Sequence, residues 1–116
     1  MSDSEYTLDI SRAVTPARSQ ALMEALASRV VIGDGAMGTQ LQEFNPTLAD
    51  YEQLEGCNEI LNVSRPDIIA SIHHAYLETG IDAIETNTFG ANWSNLSDYN
   101  IEGRIEELAQ AGSQLA

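Results

Sequence analysis

Two short polar segments, each placed directly after an apolar run, contain residue types that could bind a small charged ligand. The first is Asp34-Gly35-Ala36-Met37, which follows the β-branched run at residues 30–32. Backbone amides beside Gly35 could approach a carboxylate closely, because glycine has no Cβ. The Asp34 carboxylate could hold an ammonium group in the same place. Together these groups would form a clamp for the two charged ends of an amino acid.

The same segment also has a plainer interpretation, in which the glycines only form a turn and Asp34 only caps the short helix that follows. The spacing is not that of a dinucleotide-binding G-x-G-x-x-G, because no third glycine stands at the required position. The segment also lacks the Gly-Lys-Ser/Thr of a phosphate loop. Nucleotide binding is therefore not supported, and both the clamp and the turn stay open at this point.

The histidines and the single cysteine are weaker candidates for chemistry. His73 and His74 are neighbours, and neighbours on a helix point about 100° apart, so they cannot grip one metal ion as an i, i+4 pair can. His73 shares a helix face with Ile69 and Tyr76, which predicts a partly buried, hydrogen-bonded histidine. Cys57 has no partner for a disulfide or a multi-cysteine zinc site within the chain, and we interpret it as a structural thiol.

The elements that must position these residues alternate between helix and strand. The Thr15-Pro16 pair predicts a helix that ends near Ser28, and the predicted strands are residues 30–32 and 81–87. The Ser64-Arg65-Pro66-Asp67 segment begins a helix that Gly80 ends, and another helix begins near Glu102. The predicted apolar faces are Ala21, Leu22, Ala25 and Leu26; Ile68, Ile69, Ile72, Ala75 and Tyr76; and Ile105, Leu108, Ala109 and Gly112.

This order predicts an α/β fold with parallel strands, and the polar segments would meet at the carboxyl ends of those strands. In the second strand, the residues at that end are Thr86 and Asn87. A closed (β/α)₈ barrel takes about 250 residues, and an open doubly wound sheet needs five or more strands. With only two predicted strands in 116 residues, the chain is interpreted as the beginning of a larger domain.

Composition excludes several functional classes. Eighteen acidic residues face five basic ones, for a formal net charge of −13, and such a surface repels nucleic acids and anionic lipids. No run approaches the roughly 18 apolar residues of a membrane helix. The N-terminal Met1-Ser2-Asp3-Ser4-Glu5 lacks the features of a secretory signal, so a cytoplasmic location is expected.

Several motifs, in order, resemble one family. The stretch VIGDGAMGTQLQ at residues 31–42 resembles the opening strand and loop of homocysteine S-methyltransferase domains. The stretch LEGCNEILN at residues 54–62 is similar to the loop that follows in the cobalamin-dependent methionine synthases. The match continues through Arg65-Pro66-Asp67, His73, Ala75-Tyr76, Gly80 and the ETNTF stretch at residues 85–89. The resemblance covers residues 29–116, which leaves residues 1–28 as an N-terminal extension and leading helix.

The resemblance implies the first strands and helices of a (β/α)₈ TIM barrel, incomplete in this chain, that binds homocysteine. The family's substrate site carries over onto Asp34, Gly35, Ala36 and Met37, and more weakly onto Thr86 and Asn87. In the intact enzyme a zinc ion held by three cysteines would bind the homocysteine thiol, and methylcobalamin would supply the methyl group. Domains for 5-methyltetrahydrofolate and cobalamin would be the partners of this one.

The resemblance also implies that this chain alone is inactive. The zinc cysteines are expected beyond residue 116, Cys57 matches a loop position, and no catalytic residue, zinc or cobalamin is expected within the chain. Two alternatives stay open. One is part of a homocysteine methyltransferase that uses betaine or S-methylmethionine as donor, and the other is a stand-alone acidic binding module.

Overall fold

The computed structural model describes residues 16–116, and this part of the chain is mostly helical. The predicted extension over residues 1–14 and the predicted cap Thr15 lie outside the described residues. The chain divides into two compact units, Met1–Val31 and Ile32–Ala116. The α-helices are α1 (Pro16–Ser28), α2 (Gly38–Phe44), α3 (Leu61–Ser64), α4 (Pro66–Glu78), α5 (Trp93–Ser97) and α6 (Ile105–Leu115), with 3₁₀ turns at Asn58–Ile60 and Glu102–Arg104.

In the first unit, helix α1 confirms the predicted helix and begins at Pro16 itself. Proline suits this position because its missing N–H would have no intrahelical partner there. The predicted apolar stripe is present but exposed: Leu22 is 49% and Leu26 55% accessible. No residue of α1 is buried.

The second unit is built around α4, which confirms the second predicted helix. Pro66 begins it, and Gly80 follows its end with a φ of +89°, a backbone conformation that glycine adopts without a steric penalty. Its buried face is Ile68, Ile69, Ile72 and His73, and it packs in one apolar cluster with Leu41 of α2 and Leu61 of α3. Ala75 was predicted to be buried and is exposed. The buried face of α4 includes His73 in place of Ala75, which lies at the edge of that face.

A second apolar cluster joins the middle of the chain to the last helix. Its buried members are Cys57, Ile60, Leu96 and Leu108. The last predicted helix is confirmed as a 3₁₀ turn from Glu102 followed by α6. Gly112 is buried together with Leu108 on the inner face of α6. The predicted inner residues Ile105 and Ala109 are half-buried.

The prediction of two strands was wrong in extent. Within residues 16–116 the predicted strand segments meet in one isolated parallel bridge, between Gly33 and Ala83. The amides of Asp82 and Ala83 donate to the Ile32 carbonyl oxygen at 2.9 and 3.2 Å, and the Ile32 amide donates to Asp82 Oδ2 at 2.9 Å. Two paired segments without further strands beside them form only a marginal ladder, so β-branched composition alone does not produce a sheet.

Helix α2 is the short helix that the plainer interpretation of the first polar segment placed after Asp34, whereas two other short helices, α3 and α5, were not predicted from the sequence. Each lies in a stretch interpreted as loop, and each is too short to show helical periodicity. The start of α5 carries a local signal, because Asn92 Oδ1 accepts a hydrogen bond from the Asn95 amide at 2.9 Å. Among residues 16–116, no helix has both the length and the apolar character needed to cross a membrane.

Candidate functional site

A cleft of about 330 Å³ lies where the two polar segments meet. The first loop, residues 34–37, and the second loop, residues 85–90, follow the two bridged segments. The cleft is lined by Asp34, Gly35, Ala36, Met37, Glu85, Thr86, Asn87 and Phe89. All six residues that the sequence placed in a binding site therefore border one cleft. Glu85 and Phe89 were not among them, although both lie in the ETNTF stretch at residues 85–89.

Asp34 ties the two loops together and keeps one oxygen without a partner. Its Oδ2 accepts a hydrogen bond from the Glu85 amide at 3.1 Å, across 51 positions of sequence. Its Oδ1 is buried and has no hydrogen-bond partner. The interpretation of Asp34 as a helix cap is wrong, because the N-cap of α2 is Met37 and no side chain caps that helix. The oxygen without a partner therefore belongs to a half-buried carboxylate in the cleft lining, where a positively charged group would satisfy it.

Tyr76 of α4 holds the first loop in place. The Tyr76 hydroxyl donates a hydrogen bond to the Ala36 carbonyl oxygen at 2.7 Å. A Cβ atom at Gly35 would lie 3.0 Å from that hydroxyl oxygen, so a glycine lets the loop approach the tyrosine ring. Sequence reasoning assigned Tyr76 only to an apolar helix face. Its hydroxyl group is the signal that it also needs a polar partner when partly buried.

The second loop is held by a pair of buried asparagines, Asn62 of α3 and Asn87. Asn62 Nδ2 donates to the carbonyl oxygens of Asn87 at 2.8 Å and Leu108 at 3.2 Å. Asn87 Nδ2 donates to Asn62 Oδ1 and to the Asn58 carbonyl oxygen, both at 3.0 Å. Both donors of the Asn87 amide are thus used within the protein. Asn87 lines the cleft as a wall whose side chain fixes the loop.

Glu59 and Asn95 fix the far end of the second loop at Gly90. The buried Glu59 carboxylate accepts a hydrogen bond from the Gly90 amide at 2.8 Å, and Asn95 Nδ2 donates to the Gly90 carbonyl oxygen at 2.9 Å. A Cβ atom at Gly90 would lie 2.5 Å from Asn95 Nδ2, a distance that real Cβ atoms do not show. The segment that carries Asn58, Glu59 and Asn62 therefore supports the cleft, a role that sequence reasoning missed.

His73 and Cys57 are both buried, with different surroundings. His73 is 2% exposed, and neither Nδ1 nor Nε2 has a hydrogen-bond partner, so the prediction of a partly buried, hydrogen-bonded histidine was wrong. Burial lowers the pKa of His73, and the negative charge of Asp34 opposes that shift only in part. Burial raises the pKa of the Cys57 thiol, which keeps it protonated near neutral pH, as a structural thiol would be.

The described residues show no arrangement suited to a metal ion. Across residues 16–116, no group of three or more histidine, cysteine, aspartate or glutamate side chains is placed to hold one. What the cleft lining does offer is the Asp34 carboxylate, the backbone of the first loop and the Thr86 hydroxyl. The Thr86 hydroxyl is 2.6 Å from the Thr88 hydroxyl. Such a set can bind and orient a small polar ligand.

Comparison with known proteins adds a family and two similar proteins. The family model for "Homocysteine S-methyltransferase" matches residues 31–116. The chain is 58% identical over 95 residues to the methionine synthase of Mycobacterium tuberculosis (strain ATCC 25618 / H37Rv) and, over the same length, to that of Mycobacterium leprae (strain TN). Each match covers 82% of this chain and 8% of the relative, so the chain spans only about 8% of the length of these proteins.

Proposed function

Because the chain belongs to the homocysteine S-methyltransferase family, we propose that it is the N-terminal part of the homocysteine-binding domain of a methionine synthase. The intact enzyme would transfer a methyl group from 5-methyltetrahydrofolate, through methylcobalamin, to homocysteine, and so make methionine in the cytoplasm. The 58% identity to two methionine synthases supports this choice over a methyltransferase that uses betaine or S-methylmethionine. It also favours an enzyme over a stand-alone binding module.

In this proposal, residues 29–116 form the first part of a (β/α)₈ barrel. The parallel bridge between Gly33 and Ala83, with α4 connecting the two segments, is the contact expected between the first two strands of such a barrel. The cleft then lies after the ends of those segments, on the side where barrels of this type bind their ligands.

The amino-acid end of homocysteine would occupy the cleft. Its ammonium group would pair with Asp34 Oδ1, and its carboxylate would lie against the backbone amides of Gly35, Ala36 and Met37. Thr86 and Asn87 would form the opposite wall. The observation that carries this assignment is that Asp34, a residue of the cleft lining, has a buried oxygen without a partner, because such a carboxylate oxygen is rare in folded proteins.

The residues described here do not fit a zinc site. The single cysteine is buried and protonated near neutral pH, and no cluster of metal ligands is present among residues 16–116. In this proposal the zinc cysteines lie beyond residue 116, and zinc, methylcobalamin and the folate and cobalamin domains belong to the rest of the enzyme. The task of this chain is to bind and orient the amino-acid end of homocysteine.

The test is the homocysteine affinity of Asp34 variants in the full-length protein, measured by titration calorimetry. We expect Asp34→Ala to weaken binding by about 1–3 kcal/mol, the scale for a charged group left without its partner. Asp34→Asn should also weaken binding, since it keeps an oxygen for the Glu85 amide but loses the charge. Glu43→Ala removes an exposed carboxylate of α2 away from the cleft lining and is the matched control. An unchanged affinity in both Asp34 variants would remove Asp34 from the site.

A further inference from the structure

We propose that His73 is a positioning residue for Asp34: its imidazole N–H, directly or through one bound water, orients the buried Oδ1 of the Asp34 carboxylate. This inference rests on the proposed function for its consequence in homocysteine binding. The pairing of the two side chains can be tested without any ligand.

The two residues hold most of the unpaired buried polar atoms in the described part of the chain. Four side-chain atoms there are buried without a hydrogen-bond partner: Asp34 Oδ1, both ring nitrogens of His73 and Ser64 Oγ. Buried polar atoms are nearly always hydrogen-bonded in folded proteins, to other groups or to internal water. Three of the four atoms belong to one potential donor–acceptor pair, and each residue offers what the other lacks.

Helix α4 brings His73 to the first loop. Tyr76, three positions after His73 on the same face of α4, donates its hydrogen bond to the Ala36 carbonyl oxygen. The loop therefore lies against this face of the helix, with Asp34 two residues before Ala36. The electrostatic interaction between Asp34 and His73 agrees with this placement. The other charge that acts on His73 is that of His74, the exposed neighbour on the same helix.

The chemistry of the two groups suits a positioning role. Burial lowers the pKa of His73, so the imidazole is neutral near pH 7 and carries one N–H donor. A carboxylate oxygen accepts more than one hydrogen bond, so Asp34 Oδ1 can receive the imidazole N–H and still pair with a ligand ammonium group. With Oδ2 held by the Glu85 amide, a bond from His73 would fix both oxygens of the carboxylate. His73 would then act through Asp34 and would not touch the ligand.

The first experiment titrates His73 in the protein itself. Exchange of the imidazole C2 proton for deuterium, followed by mass spectrometry, measures the pKa of single histidines in large proteins. We expect Asp34→Asn to lower the pKa of His73 further, because the negative charge that supports the protonated form is gone. His74→Gln is a positive control, because it removes the His74 charge, which also lowers the pKa of His73. An unchanged His73 titration in Asp34→Asn would overturn the pairing, whatever the ligand of the cleft.

The second experiment is a double-mutant cycle on homocysteine affinity in the full-length protein. We expect His73→Leu to weaken binding roughly threefold to tenfold, the range for one hydrogen bond, and His73→Asn to restore part of the loss through its amide N–H. In the Asp34→Asn background His73→Leu should have no further effect. An equal loss in both backgrounds would show a merely structural histidine. The two experiments can also disagree. If Asp34→Asn changes the pKa of His73 but leaves the homocysteine affinity unchanged, the pairing is retained and the proposed function is rejected.

Discussion

The substitution Asn62→Asp tests whether the buried asparagine pair holds the second loop of the cleft. The change preserves the shape of the side chain and removes the Nδ2 donor that serves Asn87 and Leu108. The hydrogen bond from Asn87 Nδ2 to the remaining oxygen can persist. Because the substitution leaves no cavity, any fall in the free energy of local opening comes from the missing donor and the introduced charge.

We expect the free energy of local opening of the second loop to fall by about 3 kcal/mol at pH 7. Removing a donor from a buried acceptor costs about 1–3 kcal/mol, and two carbonyl oxygens lose theirs here. Leu108 lies within α6, so its carbonyl oxygen keeps a helical partner and contributes at the low end. The introduced carboxyl group would be buried against two carbonyl oxygens, which raises its pKa. Its folded-state pKa then exceeds the unfolded value, so the loss grows as the pH rises and shrinks in acid.

The assay is amide hydrogen exchange over residues 86–90 in the full-length protein, which reads the free energy of local opening. A loss of about 3 kcal/mol corresponds to about a 150-fold fall in protection. The control is Gln110→Glu, which makes the same change from amide to carboxyl on the exposed side of α6 and should cost less than about 0.5 kcal/mol. If the two variants lose equal protection at pH 7, the asparagine pair does not hold the loop.

Two further predictions concern packing. Gly112→Ala would bring a Cβ atom within 2.7 Å of Asn62 Nδ2 and 2.8 Å of Thr88 Cγ2, and should destabilise the protein by about 1–3 kcal/mol in denaturant unfolding; Gly103→Ala, whose Cβ would meet nothing within 4 Å, is the control and should be near neutral. The isolated 116-residue chain should bind a hydrophobic dye and unfold without a sharp transition, because Val30 and Phe89 are 80% and 100% exposed. A sharp, reversible transition of a monomer that binds no dye would contradict this second prediction.

The sequence predicted the parts of the structure that have local causes. Pro16 and Pro66 mark helix starts and Gly80 marks a helix end, so α1, α4 and the end of α4 followed from local backbone preferences. The six cleft residues followed from a topological rule. Neighbouring parallel strands have their carboxyl ends at the same edge of the sheet, so the segments that follow them begin close together. The rule needed only the relative placement of the two segments, and one bridge at Gly33 and Ala83 provides it.

The supports of the cleft could not be predicted, because their causes are distant in sequence. Asn62 and Asn87 bond across 25 positions, and Glu59 reaches Gly90 across 31. An isolated asparagine or glutamate in a polar stretch looks like surface, and only the fold reveals a buried partner. His73 was misjudged for a related reason: helical periodicity gives the face on which a residue lies, but neither the extent of its burial nor its hydrogen-bond partners.

The hydrogen bond from Asn62 to Leu108 has a consequence for how the protein is made. The second loop leaves the ribosome before α6 does, and synthesis proceeds at about 5–20 residues per second. Adding the chain between the loop and α6 therefore takes about a few seconds. During that time the loop can already contact Glu59 and Asn62, but α6, which packs against Asn62 through Leu108, is not yet present. Leu108 and Gly112 line no part of the cleft, yet the wall at Asn87 is complete only once they arrive. The proposed binding site is thus completed by residues that do not line the cleft.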